Sequence, residues 1–578
     1  MAAKPQLDAA GSSRKGFVIF FLAAVLALGF PAFAQDSSSD QARLPAAQSA
    51  FDAGHWEEAA KLARGPADQS PDFDFLAGLA LAHLERWDEA KLAFDAGFRK
   101  KPGDSRFLVE LAGVAYKQKD FRAAKKHLHA ALKLNPRDPY SSEFLATIYF
   151  LEDNLEAALK YWNPEDKPRL GSVAFKPSLR LKESLRDRAV AFNAPQVLTA
   201  NSLLTTQARL DNLGIFSSRR MELSPADSGN YDATLHLMEK NAWGDSKIEG
   251  VVSLLSGLPY ATVYPEFYNL GRDAVDLTSL ARWDSEKRRL SLALSFPLYG
   301  DPSLRLRVYT DARNENWNLS QTFLGTATPL TDLNMRRAAV GAEVHSIVNG
   351  HLSWSAGAEI AKRNFRNLVA MSSPAQEFFT DTMSLAGWLR AKRTLIRAPE
   401  RRFTLDSSAE VKAGREFANG LGPFATVRGV LLAQWFPRAK GDDFEMQTQI
   451  RAGAIAGKAT LDELFELGIE RDNDLWLRGH AGTFDGRKGA APLGRRFFVA
   501  NWEMDKNLFQ NGFFTVKLGP FLDSGTVADS SSLFGSRRWL WDAGAQCKVR
   551  VLGSLTIVLS YGRDLRGGKG AFYGTVLH

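Results

Sequence analysis

The chain has 578 residues and a formal net charge of +8, with 73 lysines and arginines against 65 aspartates and glutamates. This length accommodates two or three domains of ~100–200 residues, and the single cysteine, Cys547, excludes an intrachain disulfide bond. The basic residues are scattered along the chain, which argues against nucleic acid as a partner and favours a solvated or lipopolysaccharide-facing surface.

Residues 1–34 have the pattern of a secretory signal peptide. Arg14 and Lys15 precede an apolar run at 17–30, and the motif A-F-A ends at Ala34. A short positive region, an apolar region and an A-x-A site together predict cleavage after Ala34. An uncleaved membrane anchor is the alternative, but a spanning helix needs ~20 apolar residues and this run is shorter. The sequence therefore predicts export across the inner membrane.

Residues 45–169 contain a repeat with a period of 34. Similar four-residue strings begin at Trp87, Phe121 and Leu155, and Pro102 and Pro136 keep the same spacing. This period and pattern are typical of the tetratricopeptide repeat, in which each unit is a helix pair that packs on its neighbour. Such an all-α solenoid usually holds an extended partner in its groove. A spacer is the simpler alternative.

Residues 170–243 predict a small α+β domain. An amphipathic helix at 204–213 ends at Gly214, and two alternating strands follow at 219–223 and 231–237. This order resembles the second half of a POTRA module, a small periplasmic domain that can bind client chains by adding a strand to its sheet edge. A generic α+β linker domain is the alternative.

Residues 246–578 are rich in alternating strands. Asn349-Gly350 and Asn511-Gly512 are tight hairpin signals. Strands with apolar residues on one face only are typical of a transmembrane antiparallel β-barrel, and a soluble β-sandwich is the alternative. Tilted strands of ~9–11 residues, each with its turn, would give about sixteen strands over this length. We expect the first near residues 246–268 and the last at 571–577.

Eight segments in this part of the chain resemble a known family, the bacterial surface antigen barrels, which include BamA-like insertases and two-partner-secretion transporters. The resemblance covers roughly residues 200–578 and depends on the order of the segments 268–273, 295–300, 461–468, 477–480, 493–494, 501–503, 521–525 and 558–565. It implies that the loop around residues 477–480 folds back into the barrel. It also implies that Leu493-Gly494 belongs to the strand that follows this loop. His480 departs from the family, which usually has a larger aromatic residue there.

Arg478 and Asp523 are the candidate site residues. Arg478 stands beside Gly479 and offers five fixed donors. Asp523 would face the lumen if Phe521 does, and Glu503 lies one strand earlier as a second acceptor. From the residues alone, a buried pair that tethers the loop and a solvated turn arginine are equally good interpretations. The resemblance to the surface antigen barrels favours the tether.

The sequence contains no recognisable catalytic motif, so we expect no enzyme activity, no cofactor and no metal site. The predicted function is that of an outer-membrane barrel that inserts or translocates polypeptides, with periplasmic repeats that recruit client or partner proteins. The expected partners are client polypeptides, periplasmic proteins or lipoproteins, and outer-membrane lipid with lipopolysaccharide. Two alternatives remain, namely an exopolysaccharide export porin with a tetratricopeptide scaffold and a surface-lipoprotein translocator. A lumen lined with acidic and aromatic residues and lacking an inserted loop would favour the porin.

Overall fold

The computed structural model describes residues 40–64, 70–226, 229–243, 257, 261–320, 329–368, 378–418, 420–438, 443–511, 514–530, 534–536, 538–551 and 555–577. The predicted signal peptide lies outside these residues. The chain divides into two compact units, Met1–Ser141 and Ser142–His578. None of the described helices is both long and apolar enough to span a membrane.

The described elements between residues 40 and 162 are all helices. Polar residues begin several of them, because the side chains of Asp104, Asp120 and Asn154 accept hydrogen bonds from otherwise unpaired amides of the first turn. The helices are α1 (Asp40–Asp52), α2 (Trp56–Ala63), α3 (Pro71–His83), α4 (Trp87–Lys100), α5 (Ser105–Lys117), α6 (Phe121–Leu134), α7 (Pro139–Leu151) and α8 (Leu155–Trp162).

Glycines allow paired helices to approach closely at two positions in the first unit. A Cβ atom added at Gly78 would lie 2.4 Å from the ring of Phe94, and one added at Gly97 would lie 2.2 Å from the ring of Phe107. Both rings are fully buried in the helical core. A methyl group therefore has no room at either glycine, and one helix of the pair would have to move.

Gly97→Ala is expected to destabilise the helical repeats by about 1–3 kcal/mol, the usual cost of overpacking a filled core. Gly113→Ala is the matched control, since an added Cβ there meets nothing within 4 Å. Because alanine is the better helix former, this control should gain up to ~1 kcal/mol. Urea unfolding of the purified protein, followed by helical circular dichroism, measures both changes. Equal effects of the two substitutions would contradict this packing.

Residues 170–239 form a small α+β domain with a three-stranded sheet in the order β1-β3-β2, in which β1 is parallel to β3. The helix predicted at 204–213 is longer at its start, because Thr199 and Ser202 form a capping box there. Sequence reasoning missed β1 and α9, whose short segments carry no clear periodicity. The elements are β1 (Leu170–Lys176), α9 (Glu183–Ala189), α10 (Ala200–Leu213), β2 (Phe216–Pro225) and β3 (Tyr231–Glu239).

Most of the remaining strands form a closed, predominantly antiparallel barrel, as predicted. Its wall strands are β4 (Thr262–Val263), β5 (Glu266–Leu270), β6 (Val275–Trp283), β7 (Lys287–Pro297), β8 (Leu304–Ser320), β9 (Pro329–Asn349), β10 (Leu352–Arg366), β11 (Thr382–Ala398), β12 (Phe403–Glu416), β13 (Pro423–Trp435), β14 (Phe444–Gly457), β19 (Arg496–Gln510), β20 (Phe514–Ala528), β21 (Leu540–Val551), β22 (Leu555–Asp564) and β23 (Gly570–Leu577). The sixteen-strand count stays a prediction, since residues 244–256 lie outside the described residues.

Alternation along the strands separates an apolar outer face from the inner face. In β7 the side chains of Leu290, Leu292 and Leu294 are exposed, whereas Ala293 between them is buried. The tight turn predicted at Asn349-Gly350 joins β9 to β10 with the expected antiparallel register. The outer face therefore carries large apolar residues, a pattern typical of barrel walls that face lipid.

The α+β domain contacts the end of the barrel where the connections between strands are short. The Thr205 hydroxyl accepts a 3.1 Å hydrogen bond from the amide of Gly350 in the β9–β10 turn. Asn212 donates a 2.9 Å hydrogen bond to the Pro302 carbonyl in the turn between β7 and β8. At the other end of the barrel, the connections are longer, such as residues 367–381 between β10 and β11.

The last repeat helix, α8, contacts the same end of the barrel. Asn154, which caps α8, donates a 2.8 Å hydrogen bond to the Pro399 carbonyl in the β11–β12 turn. Arg397 at the end of β11 donates two hydrogen bonds to the Glu156 carboxylate, at 2.5 and 2.7 Å. Within the second unit, both α8 and the α+β domain are therefore attached to the short turns.

Candidate functional site

Residues 458–495, here called the lumen loop, connect β14 to β19. These two strands also pair directly with each other, so the lumen loop is not part of the barrel wall. The loop has two small pairings of its own, β15 (Phe465–Glu466) with β18 (Leu493–Gly494) and β16 (Thr483–Phe484) with β17 (Arg487–Lys488). Leu493-Gly494 therefore lies inside the loop, and its predicted place in the following wall strand was wrong.

The lumen loop is packed inside the barrel. Leu461, Leu467 and Leu477 are fully buried and share one apolar cluster with wall residues such as Phe497 and Leu540. Polar side chains of the loop contact wall strands on several sides of the barrel, in the three ion clusters described next. A segment in contact with β6 and β7, with β10 and β12, and with β19–β21 can reach all of them only from the interior.

The first ion cluster centres on Arg478. Its guanidinium donates from Nε to Asp523 Oδ2 at 2.9 Å and from Nη2 to Asp523 Oδ1 at 2.7 Å, which is a bidentate pair. The backbone amide of Arg478 also donates to Asp523 Oδ2, at 2.9 Å. The Phe521 ring stacks against the guanidinium, with its centre 3.8 Å from Cζ. The Arg478 side chain is 4% exposed and that of Asp523 is 0% exposed, so both charges are buried.

Glu503 completes the first ion cluster as a second acceptor. Its Oε2 atom lies 2.9 Å from Arg478 Nη1, which also donates to Gln546 at 2.7 Å. Lys548 neutralises this additional carboxylate, with its Nζ atom 2.5 Å from Glu503 Oε1. The structure thus brings together the three charged residues that sequence analysis singled out, on the loop and on β19 and β20.

Glycines let the loop backbone lie directly against the wall beside this cluster. A Cβ atom at Gly562 in β22 would lie 2.3 Å from the Arg478 carbonyl oxygen. A Cβ atom at Gly479 would lie 2.6 Å from the backbone nitrogen of Asp564. These contacts are with backbone atoms, which cannot move aside as a flexible side chain could. The loop backbone can therefore lie this close to β22 only because Gly479 has no side chain.

The second ion cluster joins the start of the lumen loop to β10. Arg363 Nε donates to both carboxylate oxygens of Asp462 at 2.7 Å, and its Nη2 donates to Glu463 at 2.7 Å. Lys412 of β12 binds Glu463 at 2.6 Å. The Arg363 side chain is 0% exposed, as is that of Glu416, whose carboxylate lies 3.5 Å from Arg363.

The third ion cluster joins the middle of the lumen loop to β6 and β7. The Asp472 carboxylate accepts a hydrogen bond from Arg282 Nη1 at 2.8 Å and another from Arg289 Nη1 at 2.6 Å. Glu470 pairs with Lys287 at 3.1 Å. Because the arginine and lysine partners project from the wall and the carboxylates from the loop, the charge arrangement is the reverse of the first cluster.

Sequence reasoning missed the second and third ion clusters. Asp462 and Glu463 stand within a segment that carried the family resemblance, but no role was inferred for them. Their partner Arg363 is 99 residues away from Asp462 in the chain. Lumen-facing charges at alternate positions of β6, β7 and β10 were the available signal. The sequence does not show which of these charges meet, because the pairing depends on the path of the loop.

Comparison with known proteins gives one sequence match and several similar structures. The tetratricopeptide repeat family model matches residues 44–105 and 109–163, which confirms the predicted repeats. No curated protein sequence matches the chain.

Among solved structures, the chain is similar to BamA from Haemophilus ducreyi lacking POTRA domains 1-3, with 12% identity over 71% of this chain and 84% of that chain at a TM-score of 0.41. It is also similar to CdiB from Escherichia coli, with 14% identity over 71% of this chain and 75% of that chain at a TM-score of 0.45. CdiB from Acinetobacter baumannii has 12% identity, over 71% of this chain and 73% of that chain, at a TM-score of 0.42.

Proposed function

We propose that this chain is an outer-membrane barrel that inserts or translocates polypeptides, with the lumen loop as the element that controls its interior. The observation that carries the proposal is the bidentate pair of Arg478 with Asp523, which attaches the loop to the wall from inside the barrel. In this role Arg478, Gly479, Asp523 and Glu503 form a tether. A loop held at three ion clusters occupies space through which a client would otherwise pass.

We further propose that the helical repeats and the α+β domain lie in the periplasm. Barrels of this kind have short periplasmic turns and longer extracellular loops. The contacts of Thr205 with Gly350 and of Asn154 with Pro399 are at the short turns, which supports this orientation. The repeats at 45–169 would recruit client or partner proteins, and the domain at 170–243 would act as a POTRA-like module beside the barrel entrance.

The inserted loop also supports this function over the glycan alternative. An exopolysaccharide export porin was expected to have a lumen free of an inserted loop. Here Leu461, Leu467 and Leu477 are fully buried within the barrel interior. A lumen without an inserted loop would have favoured the porin, so this packed loop supports polypeptide handling.

The proposal is tested in cells that lack this chain and are complemented with the wild type, Arg478→Ala or Arg438→Ala. Arg438 is the matched control because its pair with Asp443 is exposed, at 60% and 34% of the two side chains. Quantitative mass spectrometry of outer-membrane, surface and secreted fractions should show the same set of polypeptides depleted without the chain and with Arg478→Ala. The Arg438→Ala strain should match the wild type.

Other outcomes of this experiment would contradict the proposal. If exported polysaccharide is lost while all polypeptide fractions are unchanged, the chain is a glycan porin. If only surface lipoproteins are depleted, the surface-lipoprotein alternative is correct and the client class is narrower than proposed. Outer-membrane levels of each variant barrel must be equal for the comparison to hold.

A further inference from the structure

His480 lies at the tip of the lumen loop between two buried carboxylates that the tether does not use. Its Nδ1 atom is 3.0 Å from the carboxylate of Asp542 in β21, and its Nε2 atom is 3.7 Å from Asp564 Oδ2 at the end of β22. His480 is 8% exposed, Asp542 is 0% exposed and Asp564 is 2% exposed. Three potential ligands from the loop and two wall strands thus meet in one buried place.

Two buried carboxylates facing one histidine leave a local excess of negative charge. In the described part of the chain, neither Asp542 nor Asp564 has a lysine or arginine partner within 4.0 Å, and His480 is the basic group that both of them face. Asp542 accepts a 2.6 Å hydrogen bond from the Gly479 amide, and Asp564 accepts hydrogen bonds from two amides of its own turn. Amide donors do not neutralise two buried negative charges, and burial of an unpaired charge is costly.

Two buried atoms of this group also have no hydrogen-bond partner, namely His480 Nε2 and Asp542 Oδ1. The separation of 3.7 Å between His480 Nε2 and Asp564 Oδ2 is too long for a hydrogen bond. It suits two ligands of one ion, because atoms held ~2.1 Å from a tetrahedral metal lie roughly 3.4 Å apart. One ligand atom from each of the three residues can be chosen so that all lie within 4.8 Å of one another.

We propose that His480, through Nε2, and Asp564 bind a divalent transition-metal ion, with zinc as the best fit, and that the ion fastens this part of the loop to β22 while Asp542 of β21 holds the imidazole from its other side. An imidazole with a carboxylate suits zinc, whereas magnesium and calcium prefer oxygen ligands alone. The Nδ1–H group of His480 donates to Asp542, so this carboxylate orients the ring and leaves Nε2 free for the ion. Water completes the coordination. The inference does not depend on the transport function.

The test measures metal binding to the full-length protein, purified in detergent, stripped with chelator and then loaded with zinc chloride. After removal of free metal, elemental analysis should find one equivalent more on the wild type than on His480→Phe. Asp564→Asn should weaken zinc binding at least ~10-fold, because it removes the carboxylate ligand of the ion. His236→Phe is the matched control, since this histidine is paired with a carboxylate but exposed, and it should bind like the wild type.

Thermal unfolding with and without zinc keeps the test decisive if a variant is less stable. Zinc should raise the unfolding temperature of the wild type and of His236→Phe but not of His480→Phe. Equal zinc content in the wild type and His480→Phe would overturn the proposal. So would a wild type that binds no zinc, or one stabilised only by acidification in the absence of metal, because His480 would then be a protonated counterion.

Discussion

Replacing Arg478 by alanine is expected to destabilise the barrel by about 3–5 kcal/mol, the usual cost of leaving one partner of a buried ion pair alone. Asp523 would remain fully buried, with hydrogen bonds from Asn501 and the backbone but no cation in contact. Urea unfolding of the purified protein in detergent, followed by tryptophan fluorescence, measures the change. Trp476, in the lumen loop near Arg478, is one of the 13 tryptophans that contribute to this signal.

The double mutant Arg478→Ala/Asp523→Ala separates a real pair from two independent losses. Because coupled partners are not additive, we expect the double mutant to be little worse than either single mutant. Arg438→Ala is the matched control, since its 2.6 Å pair with Asp443 is exposed and should contribute less than ~1 kcal/mol. If the two single effects simply add, Arg478 and Asp523 do not act as a unit.

Arg363→Met is expected to release the start of the lumen loop and to cost a similar ~3–5 kcal/mol. Methionine fills much of the same volume but leaves Asp462, Glu463 and Glu416 without the guanidinium that now contacts all three. Repulsion among these carboxylates should push residues 461–463 away from β10. Single-channel recordings in planar bilayers should then show a larger conductance than the wild type, as the lumen opens.

Arg390→Met is the matched control for this second prediction. Arg390 also pairs with a carboxylate, donating from Nε to Glu410 at 2.7 Å, but its side chain is 52% exposed. It projects from β11 and makes no ion pair with the lumen loop in the described part of the chain. Its replacement should leave conductance unchanged and stability within ~1 kcal/mol of the wild type. An equal conductance change in both variants would show that Arg363 does not hold the loop.

The two substitutions test different ends of one segment. The first ion cluster contacts the loop at residue 478 and the second at residues 462 and 463, so each substitution leaves the other cluster in place. If the loop moves as a rigid body, either release should open the lumen fully. If it moves in parts, the conductance of each single variant should lie between that of the wild type and that of the combined variant.

The amino-acid sequence by itself determined the local elements of this protein. The 34-residue period predicted the helical repeats, since periodicity of apolar residues decides which face of a helix is buried. The alternation of residues 290–294 and the Asn349-Gly350 signal predicted the strands and one hairpin, because register in a hairpin is set by its turn. Alternation also suggested the inward direction of Asp523, which lies two residues from the buried Phe521.

Only the tertiary structure decided which charges meet. Arg363 and Asp462 lie 99 residues apart in the chain, and Arg282 and Asp472 lie 190 residues apart. Closure of the barrel and the path of the lumen loop bring each pair together, and neither is encoded in a local pattern. The same holds for His480, whose neighbours Asp542 and Asp564 come from two strands that follow it in the chain. A buried ion pair is specified by three-dimensional proximity, so sequence spacing could suggest one such contact here but not the set.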